Sequence, residues 1–391
     1  MTGDMERART GLARARRCRW ADVGRSALPD AAVAGREAAR AALRGHDDAG
    51  LLLVFASGGH DLRAVAAEIS DVAAGIPIVG CSSAAEIDAS GPASRSVVVL
   101  ALGGDGLSFS ATAVTGAEPR DAGARAAAAV GDVTDRAHQV LILLADGAAA
   151  GHSDLVRGAY SVAGAGVPIV GGIAGHPTRG EPATLFYGGT VLTDAVIGIA
   201  IGSDAPLGVG VRHGWRPVGD PMLVTRAAPG RVIELDGRPA AEVYRERLGG
   251  DATDERVLAH PLGLQRRIGE AHVRGVRLDN ALDGSIQGAV PAGALVWLME
   301  SDADGVLGAA DAACREAIDA LEGHSPEALV IFDCAARLKF LGEDGAADEV
   351  ARVVAHGDGT TVAGLYTDGE IARIRGVAGY HNQTLVILAI A

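Results

Sequence analysis

Thiol, hydroxyl and carboxyl side chains follow a short apolar stretch, residues 76–79, near the start of the chain. The apolar stretch has the composition of a buried strand, and the glycine after it permits a sharp turn or a close backbone approach. In α/β proteins, ligands bind beside the carboxyl ends of strands, where these polar groups would lie. The sequence therefore predicts that four residues line a pocket: Cys81, Ser82, Ser83 and Glu86.

The same run leaves other interpretations open. Ser83 and Glu86 have the spacing of a capping box, in which the two side chains satisfy the first backbone N–H groups of a helix. Cys81 could be the nucleophile of an acyl-transfer enzyme or hydrolase, because a thiolate beside a histidine is reactive. A free cysteine is more often a small buried apolar residue, and no cysteine–histidine signature accompanies this one.

The strand before Cys81 belongs to a pattern that occurs twice. Each copy has an apolar strand, a helical stretch and the phrase Gly-x-Pro-Ile-Val-Gly, over residues 51–80 and again over residues 141–171. Two matching strand–helix–strand units indicate an internal duplication. We expect residues 172–176 to face the same cleft as the first strand end, with Gly172 and Ala174 contributing to the pocket.

Composition limits the class of protein. Of the 391 residues, 48% are hydrophobic and only 3% are aromatic, so a large core must consist of small aliphatic side chains. The length favours two domains. The net charge of −14 argues against nucleic-acid binding, which needs a clustered basic surface. Residues 1–18 differ, since they are arginine-rich and are predicted to form a basic, disordered arm.

Cysteine use and hydropathy predict the compartment. The 4 cysteines are widely spaced, which is typical of reduced thiols in the cytoplasm. No apolar stretch approaches membrane-spanning length, and there is no secretory signal. The histidines lack metal-ligand spacing, and the glycine-rich turns match no nucleotide-binding motif. We expect a cytoplasmic protein without membrane contact, metal or other cofactor.

The order of apolar segments predicts a mixed α/β (α+β) fold. Strand and helix patterns alternate in the first part of the chain, and the strand-like stretches of residues 183–225 follow one another without a helix, so they should pair antiparallel. The expected architecture is two related lobes of mixed, largely antiparallel sheets packed with helices. A boundary near residue 235 gives domains of residues 19–235 and 236–391.

Local patterns predict the elements of the second half. Residues 249–270 are polar and have no clear periodicity, which indicates an irregular segment. Residues 284–290 and 294–299 are predicted to form a hairpin, joined by Pro-Ala-Gly. Helices are expected over residues 309–322 and 346–354.

Seven motifs occur in order along the chain: Val-Gly-Cys-Ser-Ser-Ala-Ala-Glu-Ile (79–87), Gly-Gly-Ile-Ala-Gly (171–175), His-Gly-Trp-Arg-Pro-Val-Gly (213–219), Glu-Leu-Asp-Gly-Arg-Pro-Ala (234–240), Phe-Asp-Cys-Ala-Ala-Arg (332–337), Thr-Asp-Gly-Glu-Ile (367–371) and His-Asn-Gln-Thr (381–384). Together they resemble the FIST family of intracellular signal-transduction sensors. The resemblance implies an N-terminal and a C-terminal FIST domain that together sense a small ligand, such as an amino acid. Relatives often carry a signalling output domain or an F-box; this chain shows no such module, so we expect it to signal through a separate partner.

Polar residues of the second half are candidates for the opposite side of the pocket. Cys334 is one of them. Arg337, which follows it closely, has a guanidinium fork that fits a ligand carboxylate, although an internal ion pair is an equal alternative. Glu370, His381 and Asn382 could hold an amino group and orient the ligand. The last two could instead tie the final strand to its neighbour.

His213 and Trp215 combine an imidazole with one of the few large aromatic rings of the chain. Trp215 could line the pocket, or it could cover an edge of the core. The leading hypothesis is therefore a non-catalytic sensor that binds a small polar metabolite between the two halves of the chain. The alternatives are a cysteine-dependent enzyme using Cys81, and an interaction scaffold with an exposed apolar patch and no ligand.

Overall fold

The computed structural model describes residues 19–57, 59–147, 151–175, 182–264, 271–278, 283–374 and 379–391. These residues form three copies of one structural unit and an inserted seven-stranded sheet. Each unit begins with a strand and a helix, and a parallel strand–helix–strand pair follows. A two-stranded hairpin and a last antiparallel strand complete it.

The first unit ends at residue 103. Its elements are β1 (Trp20–Ser26), α1 (Ala31–Ala42), β2 (Ala49–Ser57), α2 (Leu62–Ala73), β3 (Ile78–Ser83), the hairpin of β4 (Glu86–Asp88) and β5 (Gly91–Ala93), and β6 (Val97–Gly103). Both helices begin after an aspartate whose side chain accepts backbone N–H groups, Asp30 for α1 and Asp61 for α2. The face that α1 buries consists of alanines and a glycine, which explains how so few aromatic residues can fill the core.

The second unit repeats this order. Its elements are β7 (Leu107–Thr115), α3 (Pro119–Ala126) continued by a 3₁₀ helix (Ala127–Val133), β8 (His138–Ala145), α4 (His152–Ala163), β9 (Ile169–Ile173), the hairpin of β10 (Leu185–Tyr187) and β11 (Thr190–Leu192), and β12 (Ala195–Ser203). Apolar residues alternate along β7, and one face packs on the apolar core through Leu107, Phe109, Ala111 and Ala113.

The third unit starts at β13 (Leu207–Arg212) and is interrupted by an insertion. The insertion contains β14 (Arg216–Ala228), β15 (Arg231–Leu235), β16 (Arg238–Pro239), α5 (Ala240–Arg247), α6 (Asp254–Ala259), β17 (Leu262–Leu264), β18 (His272–Arg274), β19 (Ile286–Gln287) and β20 (Leu295–Glu300). The unit then resumes with α7 (Ala303–Asp319), β21 (Ala328–Cys334), α8 (Ala335–Gly357), β22 (Thr361–Thr367), the hairpin of β23 (Gly369–Arg373) and β24 (Tyr380–His381), and β25 (Leu385–Ile390).

Each of the three six-stranded sheets is completed by a hairpin from a different unit. The strand orders are β1-β6-β2-β3-β10-β11, β24-β23-β9-β8-β12-β7 and β13-β25-β21-β22-β4-β5. The first unit thus gives its hairpin to the third sheet, the second unit to the first, and the third unit to the second. This cyclic exchange joins the three units into one body.

A glycine occupies the same register position in each parallel pair. Gly80 lies opposite Val54, Gly171 lies opposite Leu143, and Gly364 has the equivalent place in the third unit. A Cβ atom would lie 1.8 Å from the facing carbonyl oxygen at Gly80 and 2.1 Å from it at Gly171. No side chain fits in such a gap, so these glycines are required where the backbones approach.

The predicted fold class is confirmed, and so is the antiparallel pairing of the strands between residues 183 and 225. Both predicted copies of the strand–helix–strand unit are present, and β21, α8 and β22 add a third. The division at residue 235 remains a prediction; two of the three exchanged sheets contain strands from both sides of it. The arm of residues 1–18 lies outside the described residues.

Two local predictions were wrong, two predicted helices have other bounds, and one alternative interpretation is excluded. The segment of residues 249–270 contains α6, which the Thr253 side chain caps, and also β17. Strands β19 and β20 do not pair with each other: β19 pairs with β15, whereas β20 pairs with β14 and β17. Helix α7 begins earlier than expected, because Asp302 caps it, and α8 runs from Ala335 with a break at Gly342. Glu86 begins a strand, so the run at Ser83 is not a helix cap.

Candidate functional site

The carboxyl ends of the second parallel strands, β3, β9 and β22, meet at one junction. Three backbone hydrogen bonds of 3.0 Å join them in a cycle: Gly175 N to Ser82 O, Ala84 N to Tyr366 O, and Asp368 N to Ile173 O. The Ser82 hydroxyl also donates to Gly175 O over 2.8 Å. The predicted meeting of the first two strand ends is therefore observed, and Ala174 is buried there. His176 lies outside the described residues.

Glu86 places a carboxyl group in the interior of the first unit. The side chain is fully buried and accepts hydrogen bonds from three serines. Ser57 Oγ lies 3.0 Å from its Oε2, Ser96 donates to the same oxygen through N and Oγ, and Ser83 Oγ donates to Oε1. Burial raises the pKa of Glu86 to about 7, although these hydrogen bonds oppose the shift.

Glu370 occupies the equivalent place in the third unit. It is fully buried, accepts from Thr367 Oγ1 at 2.8 Å and from the backbone N–H of Thr384 at 3.1 Å, and pairs across β23 and β9 with Gly172. Burial raises its pKa to about 8. The two glutamates thus have equivalent contacts: each carboxyl group accepts a hydrogen bond from the backbone N–H of the residue just before the last strand of its unit.

The second unit fills this position from a different strand. Asp146, directly after β8, is buried and accepts a hydrogen bond of 3.1 Å from the backbone N–H of Ala195, the first residue of β12. Asp146 and His152 line a cavity of about 20 Å³, which is room for one water molecule. Burial lowers the pKa of His152 to about 4, and its Nε2 has no hydrogen-bond partner among the described residues.

The two cysteines predicted to lie in the pocket are buried beside these glutamates. Cys81 is inaccessible to solvent, and burial, followed by the charge of Glu86, raises its pKa far above the ordinary value. Burial and then the charge of Glu370 raise the pKa of Cys334 in the same way. A thiolate at either site would be a buried anion next to a carboxyl group, and this argues against nucleophilic catalysis.

Arg337 lies in an internal ion-pair cluster. Its guanidinium contacts Asp333 at 2.9 Å and also Glu349, and all three side chains are no more than 2% exposed. It further donates to two backbone carbonyls, His213 O at 2.7 Å and Val306 O at 3.2 Å. The internal ion pair, which the sequence left open as an alternative to a ligand carboxylate, is therefore the observed arrangement.

His213 and Trp215 support that cluster. The backbone N–H of Trp215 donates to His213 Nδ1 over 2.9 Å, so the ring donates from Nε2 to Ala271 O at 3.0 Å in its neutral form. The Trp215 ring is 4% exposed, packs on Phe340 and lies 5.9 Å from Arg337 Cζ. Trp215 thus covers an edge of the core.

A second polar cluster connects β24 with β18 of the insertion. The rings of His381 and His272 stack with centroids 4.8 Å apart. Asn382 Oδ1 accepts from Gly275 N at 3.3 Å, and Asn382 Nδ2 donates to the Tyr380 hydroxyl over 3.2 Å. The sequence predicted His381 and Asn382 but not their partners on β18, because no local pattern indicates that the insertion folds against this hairpin.

We expect stability to fall as the pH rises from about 4.5 to about 8. The folded protein holds protons on Glu86 and Glu370 that the unfolded chain has released above pH 4.5, so this stabilisation is complete below 4.5 and is lost through pH 7 to 8. Urea unfolding at a series of pH values measures the slope. In Glu370→Gln, the fall in the free energy of unfolding with pH should be less steep by about one proton, or ~1.4 kcal/mol per pH unit. Glu242→Gln, at an exposed surface ion pair, is the control; an equal slope in both variants would contradict the assignment.

Comparisons with known proteins identify the family. The FIST N domain matches residues 50–238, and the FIST C domain matches residues 240–373. The chain belongs to the FIST family. FIST domains are associated with signal-transduction sensing. In the described part of this FIST chain, no helix is long and apolar enough to cross a membrane, and no group of three or more histidine, cysteine or acidic residues is placed to hold a metal ion.

Curated relatives of this FIST chain come from mycobacteria. It is 31% identical over 233 residues to the uncharacterized protein Mb0898c of Mycobacterium bovis, an alignment that covers 56% of the chain and 59% of the relative. It is 30% identical over 237 residues to the uncharacterized protein MT0656 of Mycobacterium tuberculosis, covering 56% and 60%. The match thus spans less than two thirds of either relative's length.

Proposed function

We propose that this FIST chain is a sensor that binds a small polar metabolite at the junction of its three units and passes the signal to a separate partner protein. The observation that carries this proposal is the convergence of three strand ends with the exchanged hairpins. Polar groups from separate parts of the chain meet there, and strand ends of α/β folds are common ligand sites. The family's association with signal-transduction sensing supports the same function.

The hairpin of β23 and β24 is the part of the junction best suited to contact a ligand. Glu370, His381 and Asn382 all belong to this hairpin or follow it directly, and Asn382 is only partly buried. Cys334 forms a side-chain hydrogen bond with Glu370, and Gly172 pairs with Glu370 across β9 and β23. An amino acid is the first ligand to test, because an amino group would favour the ionised form of Glu370. The buried residues Cys81, Ser82, Ser83 and Glu86 would support the junction from the first unit.

Strand exchange provides a route from binding to signal. The hairpin belongs to the third unit in the chain but extends the sheet of the second unit, and it also contacts β18 of the insertion. A ligand that shifts this hairpin therefore changes contacts in three parts of the molecule at once. A conformational response follows only if the ligand binds the shifted arrangement more tightly than the other.

A thermal-shift screen tests the proposal. We expect at least one probe from a panel of amino acids and related metabolites to raise the melting temperature saturably by a few degrees, since binding to the folded state stabilises it. Asn382→Ala should abolish the shift. Gln139→Ala removes an amide at the opposite end of the second sheet and should preserve it. The proposal fails if no probe shifts the melting temperature, or if the shift is unchanged in Asn382→Ala.

A further inference from the structure

Arg274, the last residue of β18, is a buried cation without an acidic partner among the described residues. Its side chain is 6% exposed. Its Nε donates to Ala289 O over 3.2 Å, its Nη1 donates to Val273 O over 2.9 Å, and its Cζ lies 5.5 Å from the centre of the Tyr380 ring. Burial lowers the pKa of Arg274, because its charge is removed from water and no described carboxylate replaces the lost hydration.

The two hydrogen bonds leave most of the guanidinium available. Arginine has five N–H donors, and the carbonyls of Ala289 and Val273 occupy one on Nε and one on Nη1. The remaining donors are on Nη1 and Nη2, at the end of the fork. Two parallel N–H groups at that end match the two oxygens of a carboxylate.

Arg337, another buried arginine of this protein, has the acidic partners that Arg274 lacks among the described residues. That arginine is also buried but has two carboxylates, those of Asp333 and Glu349, in contact with it. Burying a charge without a counter-ion is strongly unfavourable. The described surroundings of Arg274 supply only neutral carbonyls and an aromatic ring.

The neighbours of Arg274 can bind a ligand but do not neutralise the charge. Tyr380 and Asn382 are joined by a hydrogen bond of 3.2 Å, and Asn382 also accepts from the residue after Arg274. The acidic residue of the β23–β24 hairpin is Glu370. Its carboxyl group accepts hydrogen bonds from Thr367 and Thr384, and its pKa is about 8. Glu370 is therefore largely protonated at neutral pH and does not serve as the counter-ion.

We propose that Arg274 binds the carboxylate of a small ligand end-on between β18 and β24, with Tyr380 and Asn382 beside it. The inference rests on the proposed function, since it names the chemical class of the ligand at that junction. The proposed carboxylate contact is therefore Arg274 of the insertion and not Arg337, whose guanidinium forms internal ion pairs. Binding would then hold the insertion against the exchanged hairpin.

The test compares carboxylates with their uncharged amides at constant ionic strength. Thermal shift and titration calorimetry use acetate and glycine against acetamide and glycinamide, with inorganic phosphate as a tetrahedral anion. We expect at least one carboxylate to bind the wild-type protein saturably and its amide to bind at least tenfold more weakly. Arg274→Gln should weaken carboxylate binding at least tenfold, and Arg274→Lys should retain part of it, as a point charge without the fork. Arg277→Gln, an exposed arginine three residues away, should bind as the wild type does.

Four results would overturn the inference. If amides bind as well as carboxylates, or if phosphate alone binds, the ligand class is wrong while the sensor function stands. If Arg274→Gln is folded and binds carboxylates normally, the assigned residue is wrong. If no member of this panel or of the metabolite screen binds, the inference and the proposed function fail together.

Discussion

Replacing Arg337 with methionine is expected to lower the free energy of unfolding by about 3–5 kcal/mol, because it leaves buried acids without their partner. Asp333, Arg337 and Glu349 are 1%, 0% and 2% exposed, so water cannot replace the lost contacts. Burial, and then the charge of Glu349, already raises the pKa of Asp333 well above its ordinary value. Removing the guanidinium also removes its hydrogen bonds to the carbonyls of His213 and Val306. Urea unfolding at neutral pH measures the difference.

A surface ion pair between α8 and α7 supplies the control. Arg352 contacts Asp311 at 2.6 Å, but the side chains are 42% and 23% exposed. Arg352→Met should therefore cost less than about 1 kcal/mol. If Arg337→Met unfolds at the same urea concentration as Arg352→Met, the cluster does not stabilise the third unit, and Arg337 is again available as a ligand contact.

Gly171→Ala is expected to prevent normal pairing of β8 and β9 and to destabilise the protein by several kcal/mol. The added Cβ atom would lie 2.1 Å from Leu143 O and 2.9 Å from Leu143 N, which are backbone atoms that cannot move aside singly. The φ angle of 134° adds strain for any residue with a side chain. Because β9 also pairs with β23, the damage should extend to the exchanged hairpin. Circular dichroism and urea unfolding measure the loss.

Gly308→Ala is the matched control for this substitution. Gly308 lies within α7, and apart from the backbone of its own helix no atom is within 4 Å of the position that its Cβ would take. Alanine is a better helix former than glycine, so this variant should gain roughly 0.5–1 kcal/mol. Equal effects of the two substitutions would show that the close approach at Gly171 is unimportant.

Local patterns predicted most elements, because apolar periodicity and capping residues act over short distances. The repeated phrase at Gly80 and Gly171 indicated a duplication, and both glycines mark a close approach of paired strands. The third copy could not be recognised from the sequence, because Gly364 follows Thr-Val-Ala instead of Pro-Ile-Val. Its register position is nevertheless equivalent. The identity of the strand partners could not be predicted, since each hairpin pairs with a sheet far away in the sequence.

The candidate site shows the same limit. Glu86 and Glu370 were predicted from their motifs, but the spacing of Ser83 and Glu86 suggested a helix cap where the structure has a hydrogen bond between side chains ahead of a strand. For Arg337 the sequence left a ligand contact and an internal ion pair as equal alternatives, because its acidic partners could not be identified among many. Arg274 was missed for the opposite reason: that it has no acidic partner among the described residues becomes visible only when its neighbours in space are known.

The cyclic exchange of hairpins has a consequence for biosynthesis. Residues 86–93 leave the ribosome early, yet β22, their partner strand, is made only at residues 361–367. The second sheet likewise waits for residues 369–381. An exposed strand edge can pair with the wrong chain during such a delay. The second and third sheets therefore stay incomplete until the end of the chain has been made, and a nascent chain that ends between the two FIST domains would have open edges on these sheets.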